Sequence, residues 1–399
     1  MSVKKKVNLF EHCSVAVNCF VRNDSVEPEF VVNYSNCTRI SSQQLVCAAY
    51  SALTDTHFVC STTYINTSDD GTDFECYWGY FCENYFLIED VVDDVVKPVI
   101  IGGKCAAVFD PDIGLDDIAI KEYLSCGLMH RGRLFGANEF DLWWSGPGGF
   151  TDWENGSDGC GHLSVNSEFG IVTNMLEFKG NIVIVHQFGI EILKAEGSPE
   201  TFAIEPVDFN NEYIYEKTTC VVGGKLYFFT DSGLKCFDGN KITPVKLRNR
   251  VTSPWSVASY GTVYFVAGVV DGEYGVLCLD TENGESCILE ERMDIIYTKN
   301  GVRGFNGGVR KWIIKSSGSA FKYKTLPLDF GTKKLKTLTK IEFEGTATIT
   351  VDNGRFRRVF ENVKDCVRPH MRGKTFTITV EGESRVKSAT ATAEVPDDI

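Results

Sequence analysis

The stretch Leu128–Trp153, LMHRGRLFGANEFDLWWSGPGGFTDW, decides how this chain is read. Arg133, Leu134 and Phe135 open an apolar strand that runs to Ala137, and Asn138-Glu139 makes a tight reversal. Phe140–Trp144 is then a second strand of aromatic and branched residues, the types that suit a pleated, half-buried surface. The run Ser145-Gly146-Pro147-Gly148-Gly149 ends it, because Gly and Pro supply backbone angles that a strand cannot hold. Trp153 closes the unit with a large aromatic.

Downstream the same plan recurs: strand, tight turn at a small residue, apolar strand, second turn, shorter strand. One copy is Leu176–His186 leading to Gly189–Leu193, and the next is Val221–Phe229 leading to Gly233–Gly239. A third is Val257–Val266 leading to Tyr274–Asp280, and a weaker fourth runs from Val302 to Lys315. The turn glycines Gly180, Gly224 and Gly261 lie 44 and then 37 residues apart. A period near 40 with several strands per repeat is the pattern of propeller blades, and a single blade cannot cover both of its faces, so blades stack around an axis. Residues 41–90, with aromatic strands at Phe74–Trp78 and Tyr85–Ile88, extend the β region upstream. Leu115–Leu124, with acids in its first turn, is the best helix candidate and predicts one or two turns.

From about Pro327 the pattern changes. Ile341–Glu344, Thr346–Val351, Arg355–Phe360, Lys374–Glu381 and Thr390–Val395 alternate as strands with one exposed face. The expected fold is all-β: a β-propeller over residues 41–330 and a small β-sandwich-like module over 331–399. Residues 1–40 form an N-terminal segment of short apolar patches between polar turns.

The phrase around Arg133, Leu134, Phe135, Trp144, Ser145, Pro147, Gly148 and Trp153 resembles one found in β-propeller structural proteins of tailed bacteriophages, of the neck, nozzle or tail-hub type. Gly149 and Phe150 stand where that family usually has Asp and Pro. Gly239 occupies the same turn role in a later copy. The strand Arg372-Gly373-Lys374-Thr375-Phe376 resembles the family's C-terminal portion, so the likeness runs from about Gly127 to the end. It implies a non-enzymatic virion component at the neck or tail, made in the bacterial cytoplasm and acting through assembly contacts with other virion proteins and with further copies of itself. No cofactor, metal or specific nucleic acid belongs to that role. The alternatives are a carbohydrate-active propeller, either glycosidase or lectin, and a bacterial propeller scaffold.

Bulk properties fit this reading. The chain has 399 residues, 43% hydrophobic, with 37 glycines but 11 prolines, as suits a turn-rich β protein. The basic start Met1–Asn8 has no long apolar run behind it, so neither a signal peptide nor a membrane span is expected. Fifteen cysteines without a C-x-x-C pair predict reduced, buried thiols and no zinc site. The net charge is −14, yet residues from Thr332 onward hold 13 Lys and Arg against 10 Asp and Glu. That module is therefore +3 and the preceding residues −17, which opposes direct binding of nucleic acid. In strict alternation Arg355 and Arg357 share one strand face, opposite Phe356 and Arg358. With Arg372 they form the candidate interaction surface for an acidic partner.

Other candidates carry less. His130, His162 and His186 have no second ligand at metal spacing, and Cys160 and His162 are expected to be structural, not a nucleophile–base pair. Asp110–Asp117 suggests a calcium loop, but the sixth and twelfth positions are Leu115 and Lys121, not the Gly and Glu of an EF-hand. Ser68–Phe74 and Thr230–Gly233 are hairpin turns that depart from Asp-box spacing. Trp143, Trp144 and Trp153 are expected in the core.

Overall fold

Strand-forming segments separated by left-handed turn residues fold here into seven sheets, each of which gives one antiparallel blade to a ring. The computed structural model describes residues 2–396 apart from Asn23, Arg39, 41–43, 79–81, Ser157, Asp208, Asn210, Asn211 and 316–317. Among these there is no α-helix.

Blade 1 comprises Leu45–Ser51, Thr56–Ser61, Tyr64–Ser68 and Glu75–Trp78. Blade 3 is Cys126–His130, Arg133–Asn138, Asp141–Trp144 and Gly161–Ser164, with its reversal at Glu139, φ 46°. Blade 4 is Val172–Phe178, Asn181–His186, Ile190–Lys194 and Ala203–Pro206. Blade 5 is Cys220–Val222, Lys225–Thr230, Gly233–Phe237 and Ile242–Pro244, and blade 6 is Val251–Tyr260, Val263–Val270, Glu273–Asp280 and Ser286–Leu289. In each the first strand is innermost and touches the first strand of the next blade, and blade 7 returns to blade 1. Apolar residues of facing blades interlock between them; Phe135, Leu142 and Trp144 of blade 3, for example, pack on Met175, Ile182 and Ile184 of blade 4.

Blade 2 differs. Its strands are Phe86–Val92, Val95–Asp110 and Gly114–Leu124, and the long middle strand pairs with the first along Val95–Ile101 and with the third along Gly103–Asp110. The change of partner falls at Gly102-Gly103. A Cβ on Gly102 would lie 2.5 Å from the Tyr85 ring, and Gly103 has φ +62°. The expected helix at Leu115–Leu124 is therefore a strand. Ile118, Ile120 and Leu124 follow a period of two, and the ladder to Gly103–Asp110 satisfies the backbone that a helix would otherwise satisfy.

Blade 7 closes the ring from both ends of the chain. Ile295–Thr298, Val302–Asn306 and Val309–Lys315 are joined by an outer strand, Phe30–Asn36, from the N-terminus. Most of the other described residues of the N-terminal segment also form strands, which its broken pattern in sequence does not suggest. Ser2–Asn8 pairs with Val386–Pro396, and Cys13–Val17 pairs with Phe321–Thr325 and bridges to Ile288 of blade 6. Cys19–Arg22 and Ser25–Pro28 form a hairpin. Arg22 ties this hairpin to Glu29 (3.2 Å) and to Asp280 of blade 6 (2.8 Å).

The C-terminal module curls around Lys336–Asp352, which pairs with Arg357–Val367, Met371–Gly373, Thr377–Gly382 and Val386–Pro396. Its sheet is continuous with blade 6 through Cys13–Val17. Leu338, Ile349, Phe376 and Ala391 share one core with Leu9, Phe10 and Phe265. Propeller, N-terminal segment and module are thus one packed body.

Candidate functional site

A cavity of about 230 Å³ opens on the axis where the inner strands begin. Each blade lends it one or more residues: Cys47, Tyr85, Cys126, Asn174, Lys217, Ser256 and Ile296 in chain order. Its wall is otherwise apolar or neutral, and Lys217 is its one charge among the described residues. The Lys217 ammonium donates to the Val46 carbonyl at 2.7 Å. Burial against the channel wall lowers its pKa, although part of the side chain stays open to solvent.

Two further cavities flank this mouth and differ in chemistry. One, of about 320 Å³, adjoins Lys217 and is lined by Trp255, Tyr274, Arg292 and Asp294. Trp255 Nε1 donates to the Met293 carbonyl at 3.0 Å and its ring meets Tyr274 edge-on at 6.1 Å. Arg292 lies 4.6 Å from the Tyr274 centroid, held by Asp294 Oδ1 at 3.0 Å. The other, of about 150 Å³, is lined by Glu83, Glu139 and Glu216 with Tyr123 and Asn138. The mouth can therefore stack a flat group on one side and take a cation on the other. Reading the sequence assigned none of these residues to a site, because they are scattered over linkers, strand ends and strands of different blades. The available signal was the repeat itself, since Lys217 and Trp255 occupy the entry to successive blades.

The residues singled out from sequence build blade 3. Arg133 is buried, and its guanidinium donates to the carbonyls of Ser145 (2.9 Å), Gly159 (3.2 Å) and Asp158 (2.7 Å). Ser145 Oγ accepts from Leu134 N at 2.9 Å. Leu134, Phe135 and Trp144 are core, Pro147 and Gly148 are exposed, and Trp153 is half-buried beside Trp143 and Met129. Gly239 has φ +99° in its turn, where a Cβ would press on Lys179. None of these lines the axial cavity.

Arg355 does not share a strand face with Arg357. The strand begins at Arg357, and Arg355 and Phe356 lie in a turn where both amides donate to Asn353 Oδ1. An Asx turn holds the backbone there better than a ladder would. Arg355, Arg357 and Arg372 are nonetheless all exposed. Arg358 donates to the Pro369 carbonyl at 2.6 Å.

Among the described residues no set of three His, Cys, Asp or Glu side chains could hold a metal. His186 bonds Glu191 at 2.9 Å inside blade 4, and His162 stacks on Trp143 at 4.6 Å. The Cys160 thiol bonds Trp153 O and Asn155 Oδ1. Asp110 caps its own turn and pairs with Lys97 at 2.9 Å. In the Ser68–Phe74 turn, Asp70 accepts from the Thr72 hydroxyl and from Asp73 N and Thr72 N, and these bonds, the hydroxyl's first, hold its carboxyl well below the usual range.

No protein-family model matches the chain, and no curated protein matches it by sequence. Solved structures do match in shape. Virginiamycin B lyase from Staphylococcus aureus aligns with TM-score 0.54 at 8% identity, over 71% of this chain and 99% of that one. The Neurospora crassa Pan2 WD40 domain aligns with TM-score 0.53 at 8% identity, over 73% and 96%. At such identity the likeness shows the propeller fold alone.

Proposed function

We propose that this protein is a non-enzymatic structural component of a tailed-phage or prophage virion, placed at the neck or tail and acting through protein–protein contacts. The observation that carries the assembly reading is the free edge of the C-terminal module. Strand Arg357–Val367 is bonded to Lys336–Asp352 on one side, and its first residues point into solvent. Phe356 is 61% and Val359 49% exposed, Arg355 lies 5.3 Å over the Phe356 ring, and Arg357 and Arg372 are exposed on the same module. Exposed apolar groups set among arginines suit an interface that takes an acidic partner, because Arg pairs bidentately with carboxylates. The module shares one core with the ring, so a partner held there is held rigidly to the propeller. The placement in a virion rests on the resemblance of the Arg133–Trp153 phrase.

The test is the double variant Arg355→Glu, Arg357→Glu. It should fold and melt as the parent does, since neither side chain is buried, yet fail to enter particles assembled with the remaining virion proteins. Normal incorporation would remove the docking role. A glycan-binding reading draws on Trp255 and Tyr274 at the channel mouth. Quenching of Trp fluorescence by an oligosaccharide, lost in Trp255→Ala, would favour it.

A further inference from the structure

We propose that Cys47 and Cys60 form a hydroperoxide-responsive dithiol site, in which oxidation at the channel wall closes a disulfide across the first two strands of blade 1. The two residues are direct partners in the antiparallel ladder between Leu45–Ser51 and Thr56–Ser61. Directly opposed residues in such a ladder have Cα atoms roughly 4.5–5.5 Å apart and side chains on the same sheet face, within the roughly 4.4–6.8 Å that a disulfide spans. Cys60 is fully buried behind Cys47, which lines the axial cavity. Lys217 reaches the same wall from blade 5, bonded to the carbonyl of Val46, the neighbour of Cys47. The neighbouring Cys60 thiol and the Lys217 charge hold the Cys47 thiol below its ordinary value against the effect of burial, while Cys60 is pushed well above. Cys47, which lines the cavity beside Lys217, is the nucleophile, and Cys60, fully buried, is the resolving thiol.

In the first step the Cys47 thiolate attacks the distal oxygen of a hydroperoxide. The O–O bond breaks, an alcohol or water leaves with a proton, and Cys47 becomes a sulfenic acid. The Cys60 sulfur then attacks the Cys47 sulfur, forming the S–S bond and releasing water. Two electrons pass from the sulfurs to the peroxide.

The molecule contains its own control. Cys278 and Cys287 are also direct partners, between the third and fourth strands of blade 6. Both are at 0% exposure in the main core and line none of the cavities described above, and burial pushes Cys278 up. Pairing alone would make the two sites equal; access and a nearby cation distinguish them.

The native full chain is treated with hydrogen peroxide, blocked with N-ethylmaleimide and mapped by peptide mass spectrometry. The expected product is a Cys47–Cys60 bridge with Cys278 and Cys287 still reduced. In Cys60→Ser, dimedone should label Cys47, and Lys217→Met should slow bridging several-fold. Bridging of Cys278–Cys287 at an equal rate, Cys47 and Cys60 still reduced after treatment, or an unchanged rate in Lys217→Met would overturn the proposal. The mapping needs no variant, so a misfolded mutant does not leave it undecided.

Discussion

Truncating Phe30 to alanine tests whether the two chain ends hold the ring shut. Phe30 begins the outer strand of blade 7 and is 3% exposed. Its ring meets Phe20 of the N-terminal hairpin at 6.0 Å and Phe265 of blade 6 at 5.4 Å, both edge-on. Three parts of the molecule therefore converge on one side chain. Removing a buried Phe typically costs about 3–5 kcal/mol in lost transfer energy and residual cavity. Two edge contacts, each worth about 0.5–1.5 kcal/mol beyond area, place this site at the upper end, near 4–5 kcal/mol. Against the roughly 5–15 kcal/mol that folded proteins hold, that is a large fraction. Urea unfolding followed by Trp fluorescence should show a lower midpoint with the slope retained. Phe356→Ala, at a 61% exposed site, should change stability by less than about 0.5 kcal/mol. A loss below about 1.5 kcal/mol for Phe30→Ala would show that the terminal strand is an appendage and not a clasp.

Three further outcomes are expected. His57 is buried, bonded through Nδ1 to Tyr297 Oη (2.7 Å) and through Nε2 to the Lys299 ammonium (3.1 Å), and burial with nearby cations lowers its pKa to about 3. Because the unfolded chain takes up this proton near pH 6.5 and the folded one does not, stability is full above that pH and falls as pH drops towards 3. The loss is about 2 kcal/mol between pH 6.5 and 5, and His57→Gln should flatten the pH dependence of the urea midpoint by that amount. Arg133→Met should cost on the order of 3 kcal/mol, read by thermal melting, because three carbonyls inside blade 3 lose a charged donor. Trp153→Ala should cost about 2 kcal/mol, below the roughly 3–5 kcal/mol of a fully buried ring, since Trp153 is half-exposed; equilibrium denaturation measures it.

What the sequence shows of this fold depends on how local the determining contacts are. Blades 3 to 6 are legible because each is a meander whose turns fall at Gly180, Gly224, Gly261 or the Asn138-Glu139 reversal, between strands adjacent in the chain. Blade 2 is hidden by its acids: Asp116 and Asp117 read as a helix start, whereas they face solvent beside a ladder whose register is set at Val108 and Ala107. The expectation of buried cysteines holds for eight of the fifteen; six are partly buried and Cys76 is exposed. The channel mouth is not legible, because Cys47, Lys217 and Trp255 become neighbours only when blades 1, 5 and 6 are set around one axis.

The two termini mark the limit of local reading most clearly. Phe30–Asn36 is a short apolar patch with no partner nearby in sequence; its ladder is Val309–Lys315, and its side chains pack only once the last blade exists. Ser2–Asn8 likewise waits for Val386–Pro396. Neither strand has a signature of its own, since a strand's pattern records the face it buries and not the distance to its partner. That separation has a kinetic counterpart. Loop-closure entropy must be overcome before such contacts form, so ring closure and docking of the module belong to the end of folding. Until then the Val309–Lys315 edge of blade 7 and the Val386–Pro396 edge of the module carry unpaired backbone groups. The acidic propeller, at −17 before Thr332, opposes association of chains at that stage through like-charge repulsion. The charge asymmetry, read from sequence as a statement about partners, is equally a statement about how a chain with distant strand pairings stays single until its ends meet.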